Sequence, residues 1–360
     1  MPHIRWWRTL LGPDETARVV AAIGNGHVSQ GPLTVELETE AARQLEVPFA
    51  VATTSGSVAI MLALWANGLR AGDEVILPNR TFAASAHAVL MLGGRVALVD
   101  TVPGRPVIDV DRIEARITPR TRAIMPVELN GRAPDLAAIR RIAERHGLKV
   151  IEDSAQAMFS RNAEGYLGTR SDAGAFSLGM TKFLQSGQGG LVVTRDAGVC
   201  ERLKLLRNHG VGGDAFGVNY RELGFNFKFT DLQAALVLPQ LARAAERVQR
   251  LLTIYGTYRS GLDGCGSVRL LPVDVEAGEV PIYIEALCPD RACLMAYLAE
   301  HGVDTRPSLP SLHRSPHLEP SGEFPNSALF EEQALFLPSG PAQTDEDIAR
   351  VIELIRAHRG

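Results

Sequence analysis

From about residue 49 onward, short apolar runs alternate with stretches of helical apolar periodicity. This alternation is the sequence pattern of a parallel, doubly wound α/β sheet, in which each strand is followed by a helix on one face. Gly- and Pro-containing turns separate most of the elements. The predicted strands are 49–52, 74–77, 95–99, 122–127 and 149–151, and the predicted helices are 57–69, 83–92 and 136–146.

The pattern changes after Asp153. It predicts strands at 173–177 and 191–194, a helix at 197–207, and a long helix over 230–258 that is interrupted near Pro239. Strands at 268–271 and 282–287, a helix at 291–301, and a last helix from Thr344 complete the prediction. We expect a large domain over residues 1–245, a smaller C-terminal α/β domain over 246–360, and an N-terminal segment that packs with the smaller domain.

Composition and charge exclude several classes of protein. The chain has 37 Lys and Arg against 41 Asp and Glu, so it lacks the basic character of a nucleic-acid binder. Its longest uncharged apolar stretch, 58–66, is too short to span a bilayer. The 4 cysteines form no CxxC pair, and the first fifteen residues do not resemble a signal peptide. We therefore expect a cytoplasmic protein that binds neither nucleic acid nor membranes.

Three segments carry residues suited to chemistry. Asp153 ends an apolar strand, where ligands collect in open α/β sheets, and it either faces a cofactor or caps the next helix. Lys182 lies in a loop between two predicted strands, where a lysine acts as a nucleophile towards carbonyl groups or is simply solvated. Residues 53–57, Thr-Thr-Ser-Gly-Ser, place N–H groups and hydroxyls at a helix N-terminus, which is a ready anion site. Phe82 either stacks on a flat ring or belongs to the core.

In this order on an α/β frame, the segments resemble a pyridoxal-phosphate enzyme of the aspartate-aminotransferase fold, fold type I. Further blocks narrow the resemblance to the DegT/DnrJ/EryC1/StrS family of sugar aminotransferases. They cover nearly the whole chain, and they include Pro78-Asn-Arg-Thr-Phe-Ala-Ala-Ser85, Glu152-Asp-Ser-Ala-Gln156, the stretch from Gly168 through Gly190, Gly224 to Ala235, and Thr344-Asp-Glu-Asp347.

The resemblance implies a role for each matching residue. Lys182 would form the Schiff base with pyridoxal 5'-phosphate, and Asp153 would keep the ring nitrogen protonated. Asn226 would reach the phosphate of the neighbouring subunit, which implies a homodimer with shared active sites. The other implied cofactor residues are Ser55, Gly56, Ser57 and Ser177 at the phosphate, Phe82 on the ring and Gln156 at its hydroxyl oxygen, and the substrate loop would carry Arg306 and His313.

One block near the expected active site departs from the family pattern, and one pair of histidines raises the question of a metal. The family usually has His-Leu-Tyr-Gly where this chain has Glu128-Leu-Asn-Gly131, which leaves the usual substrate open. His313 and His317 have a spacing conceivable for a metal pair, but no carboxylate or cysteine completes a site, so we predict no metal.

The favoured hypothesis is an aminotransferase that moves an amino group from an amino acid such as glutamate to a keto-sugar, in particular a nucleotide-linked one, by a ping-pong mechanism. Amination of a non-nucleotide ketone such as a cyclitol is an alternative. A dehydratase that uses the same cofactor is disfavoured, because that branch typically replaces the Schiff-base lysine by histidine. A non-catalytic regulator that binds the cofactor is the alternative from a different class.

Overall fold

The computed structural model describes residues 3–212, 219–318 and 321–358. The helices are α1 Pro13–Gly24, α2 Pro32–Gln44, α3 Gly56–Ala66, α4 Ala84–Met91, α5 Leu136–His146, α6 Ala197–Arg207, α7 Asp231–Ala242, α8 Ala244–Gly261, α9 Arg291–Glu300, α10 Pro325–Gln333 and α11 Asp345–Ala357. The strands are β1 Phe49–Thr53, β2 Glu74–Pro78, β3 Arg95–Val99, β4 Thr121–Ile124, β5 Lys149–Asp153, β6 Arg161–Asn162, β7 Gly165–Tyr166, β8 Ala173–Ser177, β9 Gly190–Thr194, β10 Arg269–Leu270, β11 Ile284–Leu287, β12 Arg306–Pro307 and β13 Ala334–Leu337.

A seven-stranded sheet in the order β1-β9-β8-β5-β4-β2-β3 forms the centre of the molecule. Strands β3, β2, β4, β5 and β8 are parallel, and β9 runs antiparallel to both of its neighbours, β8 and β1. Side chains of β8 alternate between two cores: Ala175 packs with the cluster around α3 and Phe176 with the cluster around α2 and α7. Both faces are thus covered, and the predicted mostly parallel sheet with flanking helices is confirmed.

A second sheet of four antiparallel strands, β10-β11-β13-β12, is built from the C-terminal part of the chain. Helices α8, α9 and α11 contribute to the apolar cluster that covers it. The N-terminal segment reaches this region, since Ile4 pairs with Val303 and Trp7 pairs with Ser339. Helix α8 begins at Ala244, next to the proposed boundary at residue 245, which stays a prediction.

The helices of the first 48 residues were not anticipated. Helix α1 has Pro13 at its first position, and the Glu15 carboxylate accepts the Gly12 N–H at 2.7 Å. Both residues are typical of a helix start, so the sequence contained evidence for this helix. The predicted break of the long helix falls at Arg243 rather than at Pro239, which stays inside α7. No helix among the described residues has the length and apolar character needed to cross a membrane.

A buried polar network joins loops of the large sheet to the small sheet. Arg132 forms a salt bridge with Glu285 of β11 at 2.5 Å, and neither side chain is exposed to more than 2%. Asn130 donates to the Tyr283 carbonyl at 2.9 Å and accepts the Tyr283 N–H at 2.8 Å. Buried Arg80 donates to Ser308, and burial lowers the pKa of its guanidinium to about 10. Because each charge is buried against a partner, the network fixes the relative position of the two sheets.

The Arg132–Glu285 pair yields a prediction about stability. Arg132→Met is expected to lower the free energy of unfolding by about 3–5 kcal/mol, because it leaves the Glu285 charge buried without its partner. Urea unfolding measures this change. Arg350→Met is the control: it removes an exposed pair with Glu353 and is expected to cost less than about 1 kcal/mol. Similar losses in both variants would contradict the argument.

Candidate active site

The N-terminus of α3 lies against the end of β8. The register pairs Gly190 with both Thr53 and Ser177, so the strand ends that precede α3 and the lysine loop are neighbours. Ser55 caps α3 by accepting the Val58 N–H at 3.2 Å. A Cβ atom on Gly56 would stand 2.8 Å from the Ser177 hydroxyl oxygen. The structure thus brings Ser55, Gly56 and Ser177 together with the exposed Ser57 around free N–H groups, which suits a phosphate.

Asp153 lies at the carboxyl end of β5, at the same edge of the sheet. Its carboxylate accepts the Ser85 hydroxyl at 2.5 Å and the Ala155 N–H at 3.1 Å. Burial raises the pKa of Asp153, whereas these two hydrogen bonds and the charge of Lys182 act in the opposite direction. No helix begins between residues 154 and 160, so the interpretation of Asp153 as a helix cap is wrong.

Lys182 lies in the loop between β8 and β9 and is half-buried. Its backbone N–H donates to Gly179 at 3.1 Å, and its carbonyl accepts from the Gln185 side chain at 3.1 Å, so the loop is held by its own hydrogen bonds. The amine lies 5.9 Å from the centre of the Tyr283 ring. A cation at this distance is attracted by the ring, so the amine has a neighbour besides solvent.

Gln156 follows Asp153 by three residues, and Phe82 precedes Ser85, the hydroxyl partner of Asp153, by three residues. The Gln156 side-chain oxygen accepts the Asn130 N–H at 2.9 Å, and this bond leaves its amide nitrogen available as a donor. Phe82, at the loop after β2, is 59% exposed. An aromatic ring with this exposure does not belong to the core, and its role at the cofactor ring stays a prediction.

The other predicted site residues, Asn226, Arg306 and His313, have contacts of their own. Asn226 is exposed, and its neighbour Lys228 pairs with Thr53, just before the α3 cap. The Arg306 guanidinium stacks over the Trp6 ring at 5.1 Å. His313 contacts the Asn79 side chain at 2.9 Å, while His317 faces His87 at 2.9 Å, so the two histidines of the conceivable metal pair have different partners.

Three residues in or next to the site were not predicted from the sequence. Ser85 belongs to the block from Pro78 to Ser85 that resembles the family, but no role for its hydroxyl was predicted. Tyr283 touches the lysine loop through its hydroxyl, which donates to the Thr181 carbonyl at 3.0 Å. Trp6 lies 6.0 Å from the Tyr283 ring, measured between ring centres. Neither aromatic had a sequence signal, because each reaches the site from a distant part of the chain.

These features define a class of protein. A helix N-terminus with glycine and hydroxyls, a buried carboxylate and a sheltered lysine fit the phosphate, ring nitrogen and aldehyde of pyridoxal phosphate. The space between Gly56 and Ser177, called the phosphate cradle below, would be filled by any side chain at position 56. The fold and the site are those of a pyridoxal-phosphate enzyme, with Lys182 and Asp153 as candidate catalytic residues.

Residues 10–356 match the model of the DegT/DnrJ/EryC1/StrS aminotransferase family, and the chain belongs to this family. It is an aminotransferase, and its cofactor is pyridoxal 5'-phosphate. It is 34% identical to the dTDP-3-amino-3,4,6-trideoxy-alpha-D-glucose transaminase of Streptomyces venezuelae, over 96% of this chain and 92% of the relative. It is 33% identical to the GDP-perosamine synthase of Caulobacter vibrioides, over 98% and 97%.

Solved structures agree with the fold. The structure of S. venezuelae DesV in complex with a ketimine intermediate superposes with a TM-score of 0.91 at 34% identity, over 96% of this chain and 95% of that one. The prediction of a fold type I transferase is therefore confirmed.

The close approach at Gly56 yields a prediction. Gly56→Ala is expected to lower the free energy of unfolding by about 1–3 kcal/mol, because its Cβ would stand 2.7 Å from the Ser177 Cβ. Affinity for pyridoxal phosphate should fall as well. Urea unfolding and a fluorescence titration with the cofactor measure the two effects.

Gly256→Ala is the matched control, because nothing lies within 4 Å of a Cβ at this position in α8. We expect it to leave cofactor affinity unchanged and to raise stability by up to about 1 kcal/mol. If both variants behaved alike, the cradle at Gly56 would not have the tight geometry described.

Proposed function

We propose that the protein transfers an amino group from an amino acid such as glutamate to a nucleotide-linked keto-sugar. The support comes from relatives in two nucleotide classes, named for a dTDP-linked and a GDP-linked amino sugar, which the chain matches nearly end to end. The single observation of the structure that carries the proposal is the meeting of Lys182, Asp153 and the α3 N-terminus at one edge of the sheet.

The chain's own residues divide the work of binding the cofactor. The N–H groups at the start of α3, with Ser55, Ser57 and Ser177, would hold the phosphate without a basic side chain. Phe82 would cover the ring and Gln156 would donate to its hydroxyl oxygen. When bound, pyridoxal phosphate supplies an electron sink that stabilises negative charge on the amino-acid or sugar carbon.

Lys182 and Asp153 would act on protons. The Lys182 amine, once free, would move a proton between the donor carbon and the cofactor, because it is the amine on the lysine loop beside the ring site. Asp153 would place a negative charge at the ring nitrogen and keep a proton there, with Ser85 orienting the carboxylate. Because the Asp153 carboxylate would already stand where charge develops, the site would not need to reorganise during the reaction.

Lys182→Ala tests the role of the lysine. Transamination between glutamate and a panel of nucleotide-linked 3-keto and 4-keto sugars is expected to fall by more than about a thousandfold. The absorption change that glutamate causes in the yellow holoenzyme should also disappear. Lys204→Ala, which alters an exposed lysine of α6, is the control and should keep both signals. Normal turnover in Lys182→Ala would contradict the proposed role of the lysine. If no amino donor changed the spectrum of the unmodified enzyme, the protein would instead be a regulator that binds the cofactor without turnover.

The functional unit that we propose is a homodimer with shared active sites. Its support is an exposed loop before α7, in which Tyr220, Leu223 and Phe225 are exposed by 64–77% next to Asn226. Apolar side chains so exposed are typical of a surface that another chain covers. Asn226 would then reach the phosphate held by the partner chain.

Mixing two inactive variants tests the shared site. Lys182→Ala and Asn226→Asp chains, refolded together, should recover about a quarter of full activity, because random pairing gives hybrids with one intact site. Lys182→Ala mixed with Asp153→Asn is the control and should recover nothing, since each chain then lacks a residue of its own site. No recovery in the first mixture would overturn the shared site.

We place the enzyme in the cytoplasm, as its sequence suggests. The support is the state of its cysteines, because all four are free thiols.

A further inference from the structure

One buried carboxyl group, next to Asp153, is not used by the proposed mechanism. Glu128 follows β4, and its side chain is 0% exposed. Its N–H donates to the Asp153 carbonyl at 3.1 Å, so the two residues are held together. Within the part of the chain that the structure describes, no donor makes an aligned hydrogen bond to either carboxyl oxygen of Glu128. A charge in such a place would lack both water and a partner.

The neighbouring Glu152 carboxylate has the opposite environment. It accepts hydrogen bonds from the Gly168 N–H at 3.0 Å, the Arg170 N–H at 3.1 Å and the Ser171 hydroxyl at 2.6 Å. These donors stabilise the ionised form of Glu152. The Glu128 carboxyl faces this carboxylate and the unpartnered Ser154 hydroxyl, and Asp153 is the other charged group that acts on it. All three of these neighbours lie on or directly after β5.

Two carboxyl groups in contact do not both ionise when one accepts three hydrogen bonds and the other faces only a single hydroxyl, that of Ser154, which is not aligned with it. We propose that Glu128 stays protonated at neutral pH, donates a hydrogen bond to the Glu152 carboxylate, and thereby leaves Asp153 its own negative charge. Burial, followed by the charge of Glu152, raises the pKa of Glu128 well above its ordinary value, which agrees with this geometry.

The consequence for the site concerns Asp153. An ionised Glu128 would add a negative charge beside Asp153 and weaken the ability of Asp153 to remain a carboxylate facing the ring nitrogen. A neutral Glu128 avoids that repulsion and still fills the space. Glu128 is thus a positioning residue, and its effect on the charge of Asp153 rests on the proposed function of Asp153.

The sign of the pH dependence follows from the raised pKa. In the unfolded chain Glu128 ionises near its ordinary value of 4.5, whereas the folded protein keeps the proton to a higher pH. The stability that it contributes is fully present below pH 4.5 and is lost as the pH rises through the folded value. One retained proton raises the unfolding equilibrium constant about tenfold per pH unit in this window.

Glu128→Gln is the decisive variant, because glutamine imitates the neutral acid in shape and donates in its place. Unfolding by urea from about pH 5 upwards, with the full chain at fixed concentration, should show a slope that differs from the unmodified protein by one proton. An infrared band of a protonated carboxylic acid should be present in the unmodified protein and absent from the variant. Glu74→Gln is the control, a buried glutamate that accepts from Thr118 and Thr121 at 2.8 and 2.7 Å, and it should leave slope and band unchanged.

The slopes, the infrared band and the cofactor spectrum decide the proposal. Equal slopes in the unmodified protein and Glu128→Gln, together with an unchanged infrared band, overturn it. In the holoenzyme, the cofactor spectrum of Glu128→Gln should match the unmodified spectrum near neutral pH and diverge in alkali, where Glu128 ionises. If the unmodified protein showed no cofactor spectrum, that result would argue against the proposed function. The slope and the infrared band would still report whether Glu128 keeps its proton.

Discussion

The constraint on which the site depends is the pairing of β9 with both β1 and β8. Gly190 faces Thr53 on one side and Ser177 on the other, so the chain entering α3 and the chain entering the lysine loop meet at one edge. A side chain on Gly190 would collide with the Ser55 carbonyl. Close packing of backbone at this point holds the phosphate cradle beside Lys182 and leaves no room for a larger residue.

The opposite wall of the site comes from the small sheet. Tyr283 reaches Thr181 of the lysine loop, and the backbone N–H of the same tyrosine donates to Asn130 in the turn that follows β4 of the large sheet. Asn130 adopts a left-handed conformation, with φ of 55°, that asparagine tolerates better than most residues. The departure from the family pattern at Glu128-Leu-Asn-Gly131 therefore lies within the structure that joins the sheets and supports Asp153, and its effect on substrate choice stays a prediction.

Much of the fold was predictable because its elements are local. Strand β8 and helices α5 and α6 have the bounds that periodicity predicted, since burial on both faces of the sheet leaves a clear apolar pattern. Helices α1 and α2 were missed although Pro13 and Glu15 signal the start of the first. The break at Arg243 could not be placed, because Gln240 bonds the Gln185 backbone and keeps the turn after Pro239 in the helix.

The sequence by itself determined the class of enzyme, because Asp153, Lys182 and the α3 cap are carried by short motifs whose order is readable without coordinates. Only the tertiary structure decided that Ser85 donates to Asp153 and that Tyr283 reaches the lysine loop with Trp6 packed against it. The same holds for Glu128, which lies beside Glu152 without an aligned donor. The physical reason is that hydrogen bonding and burial depend on which distant segments meet, whereas a motif records only its own residues.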